Sequence, residues 1–179
     1  MSCAVTKGRS EPCKDTLGGI RAVYFADFAT ADGAFTVTAS EVTAIAAGLT
    51  TVFKYETLAE GNTFDQGIIG SRESGTRVNT QTLTLVLKKQ DVLTHVQIDA
   101  IVAGRPVVIV RDNNSNYHVL GITEGMETTG STVGTGGAKS DFNGYNLTLS
   151  AQENDIAPLL DAATKTALEA LVDSSPIAP

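Results

Sequence analysis

The chain has 179 residues and a formal net charge of −7, from 13 Lys+Arg against 20 Asp+Glu, with 18% charged and 42% hydrophobic residues. This length fits one domain with a sizeable core, and the acidic balance argues against a protein built to grip nucleic acid, which needs a basic footprint. No apolar run approaches the roughly 18 residues of a membrane span, residues 1–12 lack the apolar stretch of a secretory signal, and Cys3 and Cys13 are too few for a disulfide scaffold.

Along the chain, 23 Thr and 17 Gly with abundant Val read as mostly β. Residues 1–19 form an N-terminal arm. Residues 20–28 (IRAVYFADF) and 35–38 are strands, residues 40–47 either a helical turn or a short strand, and residues 50–58 a strand. Residues 63–70 and 76–88 are the arms of a long hairpin, joined by a turn that contains Gly75. The second arm, TRVNTQTLTLVLK, would span roughly 43 Å at about 3.3 Å per residue. Its outer half (Arg77, Asn79, Thr80, Gln81) is polar and its inner half (Leu83, Leu85, Leu87) apolar. Half the hairpin therefore belongs to a core and half protrudes, with open edges that invite association.

Residues 89–103 are a helix with two apolar sides. Val92, Leu93, Val96, Ala100 and Ala103 make one stripe, and Ile98, Ile101 and Val102 lie nearly opposite. The second side is expected to meet a neighbouring subunit. Residues 106–111 are a buried strand, 112–116 its hairpin turn, 117–127 the returning strand and 128–139 a Gly/Thr/Ser loop. Residues 145–151 form a last strand. The extension 152–179 carries a helix over 158–172, with Leu160, Ala167, Leu168 and Leu171 on one face. The fold class is mainly β: an antiparallel β-sandwich or barrel of about eight strands spanning residues 20–151, with one flanking helix, a long protruding hairpin and a C-terminal helix.

Motifs that carry chemistry fail on spacing. Residues 130–140 (GSTVGTGGAKS) resemble a phosphate loop, but Val133 and Ala138 stand where glycines are required. Asp112, Asn114 and Asn116 match the first positions of a calcium loop, but Tyr117 and Thr123 occupy its Gly and Glu positions. His95 and His118 with the two cysteines lack paired zinc-ligand spacing. There is no Gly-x-Ser-x-Gly and no placed Cys–His pair. The expectation is no enzyme, with no catalytic, cofactor or metal residues.

One pattern remains. The segments CKDTLGGI (13–20), TQTLTLVLKKQD (80–91), GRPVVIVRDNN (104–114), GME (125–127) and GYNLTLSA (144–151), followed by Glu153, resemble in order and spacing the bacteriophage and prophage tail tube, or major tail, protein family. The likeness covers about residues 13–158; the C-terminal helix departs from it. It implies a β-sandwich subunit that forms hexameric rings, stacked into a hollow tube through which DNA passes on ejection. Inner sheets would join around the lumen, and a long hairpin would reach the neighbouring ring. The implied partners are further copies of the chain, sheath, tape-measure, baseplate or terminator proteins, and DNA as cargo that does not stick, with no membrane. The implied location is the virion tail, reached from the host cytoplasm. Candidate interface residues are Ile98, Ile101, Val102, Arg72, Glu73 and Arg77. Candidate lumen-facing acids, on strands of the inner sheet, are Glu56, Asp65 and Glu73. The alternatives are another β-rich virion or appendage subunit, such as an adhesion module, and the tube of a tail-derived secretion or injection device.

Overall fold

The computed structural model describes residue 5 and residues 7–57 and 60–173. Among these residues, eleven strands form two sheets. They are β1 (Ile20–Ala26), β2 (Phe35–Thr38), β3 (Glu41–Ile45), β4 (Phe53–Glu56), β5 (Thr63–Ser71), β6 (Thr76–Lys88), β7 (Val107–Asp112), β8 (Tyr117–Leu120), β9 (Glu127–Gly134), β10 (Gly144–Glu153) and β11 (Leu159–Leu160). Three helices join them: α1 (Phe28–Ala31), α2 (Val92–Ala103) and α3 (Ala162–Ala170). A seven-stranded sheet runs β2-β3-β11-β8-β7-β1-β4, and a four-stranded sheet runs β5-β6-β10-β9. The two stack as an open sandwich, so the expected fold class stands and the barrel option does not.

Side-chain alternation builds the core. On β6, Leu83 and Leu85 turn inward with Leu147 and Leu149 of β10, against Val23, Phe25, Val108 and Val110 of the large sheet. The other face of the large sheet is also covered. Tyr24, Ile109, Tyr117 and Val119 pack there with Leu49, Val52, Leu160 and Leu168. Because β1 and β7 are buried on both faces, they read as continuous apolar runs rather than alternating ones.

Caps set the helix starts. Asp91 accepts from the Thr94 amide (2.9 Å), so α2 begins at Val92 instead of residue 89. Lys89 (φ 66°) turns the chain out of β6. Asp161 accepts from the Thr164 amide (2.6 Å), so the C-terminal helix begins at Ala162, not 158. Residues 158–160 are drawn instead into the large sheet. There β11 runs parallel to β3 and antiparallel to β8. The C-terminal extension is thus a structural member of the domain. Among the described residues, it is the strand that joins the β2–β3 hairpin to the rest of the sheet.

A polar cluster holds α3 down. Glu169 accepts from the Tyr24 (2.6 Å) and Tyr117 (2.7 Å) hydroxyls, with the Arg111 guanidinium 3.7 Å away. Burial pushes the Glu169 carboxyl up. The two hydroxyl bonds, with the charges of Lys54 and Arg111, outweigh it and hold the group below its ordinary value. Burial, reinforced by Glu169, raises the Tyr24 phenol.

Three further readings are corrected. The first strand ends at Ala26, because Asp27 accepts from the Ala29 amide (3.2 Å) and starts α1. Residues 128–134 are strand β9, not loop; its Thr, Ser and Gly side chains give no apolar alternation, yet its backbone pairs along β10. The polar half of β6 does not all protrude. Asn79 and Gln81 are fully buried, Asn79 Nδ2 donates to the Asn154 carbonyl (2.6 Å), and Gln81 Oε1 accepts from the Gly121 amide (3.0 Å). The end of the hairpin stands clear, with Gly67–Gly70 of β5 and the turn Arg72–Thr76 exposed, turned by Gly75 at φ 64°.

Candidate assembly surfaces

The four-stranded sheet turns one face to the core and leaves the other open. Register identifies the outward row on each strand. Thr82 pairs with Asp65 and Ser150, Thr84 with Thr63 and Thr148, Val86 with Asn146, and Thr80 with Gly67 and Gln152. On β9, Gly130 faces Thr148, Thr132 faces Asn146 and Glu127 faces Ser150. From Thr80 to Val86 and across all four strands, these outward positions hold no Lys or Arg. Their two carboxylates, Asp65 on β5 and Glu127 on β9, share one row at opposite margins. The outward β6 side chains between Thr80 and Val86 are half-buried, and three of the four carry hydroxyls. Both margins are open: β5 and β9 each have one strand neighbour. An open strand edge presents unpaired N–H and C=O groups to another chain.

The sequence-based candidates fall into place unevenly. Asp65 lies on the open face and is exposed; Arg72 and Glu73 are exposed at the hairpin tip. Glu56 does not share a sheet with them. It lies on β4 at the margin of the large sheet, 3.0 Å from Lys54, so the three acids do not line one inner sheet. Arg77 is held within its own chain, donating to the Asn154 carbonyl (2.8 Å) and to Asp155 (2.6 Å). Ile98 and Ile101 are buried in the sandwich core (5% and 9% exposed), so neither is available to a neighbour. Only Val102, on their flank, is exposed. The two apolar sides of α2 are real, but their roles are exchanged: Val92, Leu93 and Val96 face outward. Glu127 was missed because it was read as the end of the return from residue 117 and the rest of its strand as a loop.

The chemical look-alikes are occupied by the fold. In the glycine-rich turn, the Gly137 and Ala138 amides donate to the Asp141 carboxylate (2.8 and 2.7 Å), which fills the place an anion would take. Asp112 accepts from the Asn116 amide (2.7 Å) and closes the β7–β8 turn. Asn114 clamps the N-terminal arm, accepting from the Leu17 amide (3.0 Å) and donating to its carbonyl (2.8 Å). Among the described residues, no three His, Cys, Asp or Glu side chains gather as a metal site, and no helix is long and apolar enough to cross a membrane. The chain matches no protein-family model, and no curated protein or solved structure is significantly similar to it.

Proposed function

We propose that the chain is a structural subunit that self-assembles into stacked, hexameric rings, forming the hollow inner tube of a phage tail through which DNA passes. The observation that carries this reading is the open face of the four-stranded sheet. It is hydroxyl-rich, holds no basic side chain between the Thr80 and Val86 rows, and is bounded by two strand edges with one neighbour each.

Joining β5 of one copy to β9 of the next satisfies both edges. Their directions favour it: β5 and β9 run oppositely, since each step across the sheet is antiparallel. A head-to-tail contact of this kind closes into a ring when the rotation closes. Around a ring, Asp65 and Glu127 of adjacent copies fall on either side of each seam, giving a belt of carboxylates inside a Thr-lined channel. Such a surface repels phosphate and offers it no bidentate cation, so DNA slides rather than binds. The role is mechanical, with no catalytic group.

Negative-stain images of the concentrated, purified chain test this. The expected result is tubes of uniform diameter with a stain-filled axis. A chain that stays monomeric at every concentration, and is absent from tails of particles produced alongside it, refutes the reading.

A further inference from the structure

We propose that the cleft between the start of β5 and the β7–β8 hairpin binds an ammonium group carried on an aliphatic stem. The site is independent of the tube reading.

The cleft holds about 360 Å³, within the range of ligand clefts, about 300–1,000 Å³. Residues 17–20 of the N-terminal arm make one wall, residues 62–65 another, and Val110 and His118 of the large sheet lie between them. Both walls are held in place. Asn113 Nδ2 donates to the Gly18 carbonyl (2.7 Å), beside the Asn114 clamp on Leu17, and Asn62 Oδ1 accepts from the Val86 amide (2.6 Å). Walls fixed in this way need little reordering to take a ligand.

The charge of the cleft is one-sided. Among the described residues, Asp112 and Asp65 line it and no Lys or Arg does. Asp112 accepts from the Asn116 amide (2.7 Å), the Asn116 side chain (3.0 Å) and the Asn114 side chain (3.4 Å). Burial pushes its carboxyl up. These bonds outweigh it and hold the group below its ordinary value, so it is ionised at neutral pH. A carboxylate offers about four lone-pair sites, which leaves one for a further donor. Asp65 is exposed and adds a second negative charge at the rim. The Phe64 ring, its centroid 5.4 Å from that of His118, offers a π face to a cation. Ile20 and Val110 offer apolar surface to the stem.

His118 makes the site sensitive to pH. Burial lowers the imidazole, against the charge of Asp112, so it is neutral at pH 7. The charged groups that share the cleft with it are Asp112 of β7 and Asp65 of β5; β8 and residues 17–20 add none. Once protonated, the imidazolium competes with the ligand for the same carboxylates, so binding weakens as pH falls.

Proton NMR of the full chain tests this. His95 and His118 are the only histidines, so His95→Gln identifies the His118 ring signal. At neutral pH, n-butylammonium should shift that signal saturably, with a Kd on the order of 1–10 mM as so small a ligand allows; 1-butanol should not. Asp65→Asn should raise the Kd about 2–5-fold, as for an exposed ion pair, and Asp112→Asn about tenfold or more, as for a bond to a charged group. The Kd of the parent chain should rise as pH falls below about 6.5. If Asp112→Asn does not fold, Asp65→Asn and the pH profile decide. Nα-acetyl-lysine amide that binds as tightly as the amine assigns the cleft to a lysine side chain, and weaker binding assigns it to a free amine; both uphold the ammonium site. A shift that never saturates, an equal response to 1-butanol, or a Kd that neither Asp65→Asn nor acid changes overturns it.

Discussion

Ile98 and Leu93 sit five residues apart on one helix and should behave oppositely. Ile98 fills the sandwich core, so Ile98→Ala should cost about 2–4 kcal/mol in urea unfolding. Leu93→Glu should change stability by no more than about 0.5 kcal/mol, because it touches solvent. Equal costs would contradict the assignment of the two faces. Periodicity in the sequence reveals that α2 is apolar on both sides. It does not say which side a sheet will cover, because that depends on where β9 and β10 place the helix.

Single carboxylates also set the acid limit of the fold. Glu169, Asp91, Asp112 and Asp161 are all held below their ordinary values, the two caps mainly by Thr94 and Thr164. A depressed carboxyl contributes stability that is full above its unfolded value, about 4 here, and is lost as pH falls through the folded value. Burial lowers the His118 imidazole, which adds a loss of the same sign beginning below about pH 6.5. The melting temperature should therefore fall from near pH 6.5 downward, and more steeply below about pH 4. In Glu169→Gln the acid limb should be shallower. An unchanged acid limb would show that the Tyr24–Tyr117–Glu169 cluster does not hold α3.

At the scale of elements, the long β6 is legible to the residue because its alternating face meets a core, and the short β2 because Phe35 anchors it after the turn at Gly33. β11 is not legible: it is two residues after a proline, and its partners, Glu41 and His118, are remote in sequence. β9 is hidden because an edge strand facing solvent needs no apolar alternation. The buried polar residues of β6 look like a protruding surface until Asn154 is placed against Asn79 and Gly121 against Gln81. The 154–157 segment makes the C-terminal extension a strap. It is tied to the hairpin through Arg77 and Asn79, threads between β3 and β8, and ends in α3. Thr164 fastens it to β3, its hydroxyl donating to the Val42 carbonyl (3.0 Å). Thr164→Val should cost about 1 kcal/mol. It should also speed amide exchange in β3 and at Asp161, while β1 and β7 keep their protection. Uniform acceleration across the sheet would instead mean that the strap and the sandwich open as one unit.

At the scale of the whole molecule, the low charge content has a structural counterpart. A sheet face without cations from Thr80 to Val86, two open strand edges and two apolar patches (Val92, Leu93 and Val96; Ile68 and Ile69) all lie on the surface of one chain. Charges on surfaces that become buried are costly unless paired, and assembly would bury the edges and patches. The acidic balance concentrates its meaning on a few positions. Of the acids singled out from the sequence, only Asp65 lies on the open face, and Glu127 joins it through the register of β9. Replacing Thr82 and Thr148 with Lys should leave tubes intact but make them retain duplex DNA at low salt, with retention falling as salt rises. Tubes that pass DNA equally well in both forms would show that the open face does not meet the cargo.

The most direct measurement is a cryo-electron microscopy reconstruction of the assembled chain, resolved well enough to trace strands. The expected map is a hollow cylinder whose innermost wall is the four-stranded sheet, continuous from β5 of one copy to β9 of the next, with Asp65 and Glu127 facing the channel. A solid fibre, or a tube whose channel is lined by the seven-stranded sheet, would contradict the account.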